Sequence, residues 1–139
     1  MGSSNSIQKI SYEDIQFAQQ QSNDYLIINT LPDNNQGCLI LNSVNCNNEV
    51  ETINSLLNEN KSKKIIIYGK NCNDETIYNK IGQLFDLGFT SVFLYPGGLF
   101  EWLLLQDIYG NELFPTTSNE LDIIKYKPYK KFNIKSLDY

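Results

Sequence analysis

The segment KIIIYGKNCNDETIYNKIGQLFDLGFTSVFLYPGGLFEW, residues 64–102, limits the possible folds more than any other part of the chain. Ile65, Ile66, Ile67 and Tyr68 form a β-branched and aromatic run without a polar face, which fits a strand covered on both sides of a parallel sheet. A polar loop with one cysteine comes next. Ile77, Ile81, Leu84 and Phe85 then recur at intervals of three and four, the spacing of an amphipathic helix, and Gly88 stands where its carboxyl-terminal cap belongs. Val92 to Tyr95 supplies another strand. Pro96-Gly97-Gly98 turns the chain, and Leu99 to Asp107 continues as a short helix with Trp102 and its leucines toward the core. Parallel strands joined through a helix require a right-handed crossover, and ligands of such sheets bind beyond the carboxyl ends of the strands. Activity is therefore to be sought in the loop after Tyr68.

The preceding half repeats the same alternation. Ser11 can cap a helix from Tyr12 to Gln20, with Ile10 and Ile15 at the positions of a hydrophobic staple. Tyr25 to Asn29 reads as a buried strand before the turn cluster Pro32-Asp33-Asn34-Asn35. A strand near Ser43 to Cys46 precedes a helix from Glu49 to Asn58, in which Val50, Ile53, Leu56 and Leu57 share a face. Strands alternating with helices imply a three-layer α/β/α sandwich, and 139 residues suit one domain.

Composition removes several chemistries. All eleven basic residues are lysines, so neither an imidazole base nor a bidentate guanidinium clamp exists in this chain. Cys38, Cys46 and Cys72 lack metal-ligand spacing and cannot all pair internally, which points to a reducing, cytoplasmic setting. No metal or cofactor is expected. The net charge of -5 argues against a chain-wide nucleic-acid surface. No apolar run is long enough to span a bilayer. Membrane association is expected only if Gly2, which fits a myristoylation pattern with Ser6, is acylated; otherwise residues 1 to 7 read as a flexible amino terminus.

Five segments in order carry a family resemblance. They are Ile10-Ser11-Tyr12-Glu13-Asp14, Leu26-Ile27-Ile28-Asn29, Cys38 to Asn45, Ile65 to Gly69 with Leu84 to Gly88 after it, and Tyr95 to Trp102. The last is the most specific, matching a Gly-Gly-x-x-x-Trp pattern. Together they resemble the rhodanese-like domain, the sulfurtransferase fold family, over residues 8 to 117. The resemblance implies a three-layer α/β/α sandwich around a central, mainly parallel five-stranded sheet. It also implies that the loop after the fourth strand is the active-site loop, here Gly69, Lys70, Asn71, Cys72, Asn73, Asp74, Glu75 and Thr76.

The loop departs from the family pattern. In the family a cysteine directly follows the strand and points into a ring of backbone amides; here Gly69 stands there, and the loop is slightly longer. Cys72 is thus a shifted candidate nucleophile. Sulfur transfer needs a thiolate, and a cysteine with an ordinary pKa near ~8.5 needs amides, a helix end or cations to supply one. Lys70 would steer an anionic donor, and the amides of Asn73 to Thr76 would hold a persulfide. Asp74 and Glu75 oppose both, although the pair also reads as an ordinary helix cap and dipole match. The favoured reading of Cys72 is a semi-exposed loop cysteine without catalytic work. A cysteine phosphatase is the least favoured reading, since no arginine closes the loop. The expected function is a catalytically weak or inactive module binding a protein or a small anionic or sulfur-containing ligand through this loop. The alternative is a thiosulfate-type sulfurtransferase forming a persulfide on Cys72.

Residues 118 to 139 form a Lys/Tyr-rich extension. From residue 121 onward five lysines face two aspartates, so the excess of acid lies in the preceding body. Ile123, Tyr126, Tyr129 and Phe132 are expected to pack along that body or on a second copy as a homodimer. Lysines interleaved with aromatics also suit single-stranded nucleic acid or an anionic membrane, without being specific for either.

Overall fold

The computed structural model describes residues 7–132. The expectations for Gly2 and the flexible amino terminus lie outside the described residues, apart from Ile7, which packs half-buried against the core. Five strands form one sheet: β1 (Gln8–Lys9), β2 (Tyr25–Asn29), β3 (Ser43–Val44), β4 (Lys64–Tyr68) and β5 (Val92–Leu94). Their spatial order is β1-β5-β4-β2-β3, and every pairing is parallel. The register aligns Ile27, Ile66 and Phe93 across the centre. Among the described residues four α-helices cover the sheet: α1 (Tyr12–Gln20), α2 (Cys46–Glu59), α3 (Thr76–Asp86) and α4 (Gly98–Tyr109).

Alternation along the central strands divides the interior in two. Ile27, Ile66 and Tyr68 meet Ile15 and Ala18 of α1 and Leu99, Trp102 and Leu103 of α4. Ile28, Ile65 and Ile67 meet Ile53 of α2 and Ile77, Ile81 and Leu84 of α3. Successive isoleucines of β4 thus serve opposite layers, which is why the strand has no polar face.

Local signals explain most boundaries. The Ser11 amide donates to Asp14 Oδ2 at 3.0 Å, and Ile10 and Ile15 join the same core cluster at the start of α1. After α3 the Gly88 amide donates to Phe85 O at 2.9 Å and the Phe89 amide to Leu84 O at 3.1 Å, with Gly88 at φ +102°. That is the Schellman arrangement, which favours glycine at the left-handed position.

Two expectations need correction. β3 ends at Val44, not Cys46, and α2 begins at Cys46, three residues before Glu49. The cause is Asn45, whose side-chain oxygen accepts the Asn47 amide at 3.0 Å and so starts the helix earlier. β1 had no counterpart among the expected strands, because two exposed polar residues at a sheet edge leave no pattern.

Candidate functional site at the strand ends

β4 delivers the chain to Gly69, which is buried, and the amino end of α4 clasps the backbone there. Gly69 O accepts the Leu99 amide at 3.0 Å and Lys70 O accepts the Phe100 amide at 2.9 Å. Gly98 makes this approach possible. It has φ +67°, and a Cβ there would stand 2.7 Å from Gly69 O and 2.9 Å from Asn71 N. The Gly-Gly turn is therefore a packing surface for the loop backbone.

Asp74 occupies the inside of the loop. Its Oδ2 accepts the Lys70 amide at 2.8 Å, and its Oδ1 accepts the Thr76 amide at 3.0 Å and the Thr76 hydroxyl at 2.6 Å. A Cβ on residue 69 would lie 2.6 Å from Asp74 Oδ2. The carboxylate thus takes the space beside the strand end that a side chain at Gly69 would need. Asn71 fixes the rest of the turn: its side-chain oxygen accepts the Asn73 amide at 2.8 Å, and its carbonyl accepts the Asp74 amide at 3.2 Å. Its side-chain nitrogen donates to Tyr126 O at 2.8 Å, tying the loop to the extension.

The predicted site residues divide into two groups. Lys70, Asn71, Asn73, Asp74, Glu75 and Thr76 line one open cleft of about 570 Å³. Gly69 and Cys72 do not. Cys72 is exposed, and among the described residues its sulfur reaches Asn73 Oδ1, at 3.8 Å. Four further residues complete the cleft: Thr30 and Pro32 beyond β2, and Tyr129 and Lys131 from the extension. The turn cluster at Pro32 was a usable signal for one wall. Nothing in the spacing of Tyr129 and Lys131 pointed to the other.

A second cleft of about 290 Å³ shares Thr30 and Thr76 with the first and contains Asp33, Cys46, Glu49 and Lys80. Cys46 opens α2, and its thiol donates to Asp33 Oδ1 at 3.4 Å. Partial burial, that hydrogen bond and the charges of Asp33 and Glu49 push the Cys46 thiol above its ordinary value, so the helix end does not make it a ready thiolate. Glu49 pairs with Lys80. Cys38 is buried and donates to Ser118 O at 3.3 Å. Among the described residues, no cluster of three or more His, Cys, Asp or Glu side chains is arranged to hold a metal ion.

The extension divides at Lys127. A 3-10 turn, Ile123–Tyr126, places the Tyr126 ring in the core at 2% exposure, with Ile123 packed half-buried against it. Tyr129 and Phe132, expected to pack likewise, are instead 86% and 88% exposed. Lys127, Lys130 and Lys131 flank those rings, and their charged heads favour water. Among the described residues no helix is long and apolar enough to cross a membrane.

The model of the rhodanese-like domain matches residues 15–105. No curated protein matches. Among solved structures, the rhodanese-like domain of the Alr3790 protein from Anabaena sp. superposes with a TM-score of 0.56 at 19% identity, over 90% of this chain and 87% of that one. The BH2092 protein from Bacillus halodurans gives 0.57 at 15% identity, covering 94% and 89%. A thiosulfate sulfurtransferase from Pseudomonas aeruginosa gives 0.55 at 15% identity, covering 86% of this chain and 23% of that one. At such identities the likeness is one of fold. With the family model spanning the central strands, the loop and the Gly-Gly turn, the chain belongs to the rhodanese-like domain family.

Proposed function

We propose that this chain is a catalytically weak or inactive rhodanese-like module that binds a ligand through the Gly69 to Glu75 loop. One observation carries the reading: the Asp74 carboxylate holds the Lys70 and Thr76 amides beside the strand end. Sulfur transfer places a thiolate, then a persulfide, in a ring of free amides that offsets its charge. Here a tethered anion has taken two of those donors, and Asn71 has taken the Asn73 and Asp74 amides. Cys72 is exposed beside this arrangement, with its sulfur 3.8 Å from Asn73 Oδ1. The cleft remains open, which suits recognition without covalent chemistry. Three unpaired cysteines suit work in the reducing cytoplasm.

Intact-mass analysis after incubation with thiosulfate or 3-mercaptopyruvate tests the claim on catalysis. The expected result is no gain of a sulfur atom that distinguishes the native chain from Cys72→Ser. In the competing chemistry the Cys72 thiolate attacks the sulfane sulfur of thiosulfate, the donor S–S bond breaks, and sulfite leaves with its electron pair. A persulfide mapped to Cys72, formed with turnover and lost in the serine variant, refutes the proposal.

A further inference from the structure

We infer that a cavity between α1 and the sheet binds the head group of a small quaternary ammonium ion, held by three aromatic rings and one carboxylate. It shares no lining residue with either cleft at the strand ends, so this inference goes beyond the reading of the loop and does not rest on it. Helix spacing builds one wall. α1 turns Ile15 and Ala18 into the core, and Asp14 and Phe17, three residues apart, share the flank beside them. Strand register builds the other: Tyr25 opens β2, and Ile66 and Phe93 are paired neighbours on β4 and β5. With Ile10, these residues enclose about 120 Å³.

The rings are left open to a ligand. Phe17 is 53% exposed, and Tyr25 and Phe93 are half-buried, so the aromatic surfaces surround the cavity without closing it. The Phe17 and Tyr25 rings stand at 85° to each other with centroids 6.1 Å apart, which makes two walls of a corner. Aromatic faces carry negative potential and attract cations. The Tyr25 ring already does so: the ammonium of Lys64, its register partner, lies 5.2 Å from its centroid.

Charge and hydrogen-bonding capacity select the ion. Asp14 is the charged residue of the lining, and its Oδ2 accepts the Ser11 amide and hydroxyl, both neutral groups that leave its negative charge in place. Glu13 and Asp14 together also outweigh the partial positive charge, about half a unit, at the amino end of α1. Lys64 reaches Tyr25 from outside the lining and is exposed, so water screens it. Anions are disfavoured by such a lining, and an uncharged apolar group would strip water from the carboxylate without pairing it. A primary ammonium brings three N–H donors, which one carboxylate among rings and isoleucines cannot satisfy. A quaternary ammonium has no such donor. Size agrees, because about 120 Å³ is less than the roughly 150 Å³ that takes up benzene, and it suits a compact head rather than an aromatic ligand. Since the cavity shares nothing with the grooves at the strand ends, a small free ion fits it better than a modified side chain on a protein.

The test is titration of the full chain with tetramethylammonium, choline and 3,3-dimethylbutanol, the uncharged isostere of choline, followed through amide NMR shifts. Both ions should saturate with a Kd of about 1 mM or below and move the signals of Asp14, Phe17 and Tyr25, while the isostere binds roughly tenfold more weakly or worse. Phe17→Leu keeps apolar bulk but removes the ring face, and Asp14→Asn keeps an acceptor for the Ser11 amide but removes the charge. Each should raise the Kd of choline roughly three- to tenfold. Lys64→Gln should leave that Kd unchanged or lower it, and Tyr129→Ala, in the loop cleft, should leave it unchanged. Phe17 and Asp14 are exposed, and dispersed amide spectra report that each variant is folded. The isostere comparison uses the native chain alone, so it decides the matter without any variant. Equal affinity for the isostere, indifference to Phe17→Leu or Asp14→Asn, weakening by Tyr129→Ala or Lys64→Gln, shifts confined to residues 69–76, or no saturable shift overturns the inference. A trimethyllysine peptide that binds roughly tenfold more tightly than choline also overturns it, by making the ligand a protein.

Discussion

Substituting alanine at each of the two adjacent glycines before α4 separates backbone packing from mere sequence pattern. Gly98 has φ +67°, a conformation that costs an ordinary residue about 1–2 kcal/mol. The added methyl would also stand 2.7 Å from Gly69 O, 2.9 Å from Asn71 N and 3.0 Å from Lys70 C. These are backbone atoms clasped by the Leu99 and Phe100 amides, so they cannot step aside cheaply, and overpacking of this kind costs about 1–3 kcal/mol more. The expected loss for Gly98→Ala is about 2–5 kcal/mol, or a fall in Tm of roughly 7–17 °C for a domain of this size. Gly97 is different. Its φ of -61° is already helical, and its methyl would first meet the Glu101 side chain, whose carboxylate can rotate away but whose Cβ, 2.7 Å off, moves only with its backbone. Gly97→Ala should cost about 1–3 kcal/mol through that contact and less than Gly98→Ala, because no left-handed backbone strain adds to it. Urea unfolding monitored through the buried Trp102 reads both values. The reasoning fails if Gly98→Ala is within about 0.5 kcal/mol of native, or if Gly97→Ala costs as much.

The same geometry sets two further outcomes. Asn71→Ala removes the bond to Tyr126 O and the acceptor for the Asn73 amide, so it should cost about 1–3 kcal/mol, whereas Tyr129→Ala, on an exposed ring, should lie within about 0.5 kcal/mol by the same unfolding assay. Because the Cys46 thiol is pushed up, it holds its proton through neutral pH and yields thiolate only as the pH climbs further; its alkylation by iodoacetamide, mapped by peptide mass, should therefore rise late with pH and move to lower pH in Asp33→Asn.

The layers were legible because hydrophobic period survives in sequence. The three isoleucines of β4, the stripe of Ile77, Ile81 and Leu84, and Gly88 announced a strand, a helix and its end without any knowledge of neighbours. β1 escaped because it is held by main-chain bonds to β5 and carries no apolar side chain of its own. The early start of α2 depended on one asparagine bond that competes with a strand reading of Ser43 to Cys46. At the site, the loop itself could be located, since it comes directly after the most buried strand. That Asp74 also reaches back to the Lys70 amide could not, because a carboxylate next to a helix start reads as an ordinary cap, the role its bond from the Thr76 amide fills. The far wall was invisible for a different reason: Tyr129 and Lys131 are more than fifty residues from the loop in sequence and follow the point where Asn71 holds Tyr126 O.

The anchoring of Tyr126 also bears on how this domain can be moved between proteins. The family pattern ends at residue 105, but the Phe114 and Tyr126 rings belong to the layer that contains Trp102, and Pro115 O accepts the Trp102 indole at 3.1 Å. A fusion or transplant cut at the inherited boundary would export an unfilled interior and an Asn71 without its acceptor. The portable unit runs through Tyr126 at least, so in this chain the segment that the family model matches is shorter than the segment that must travel together.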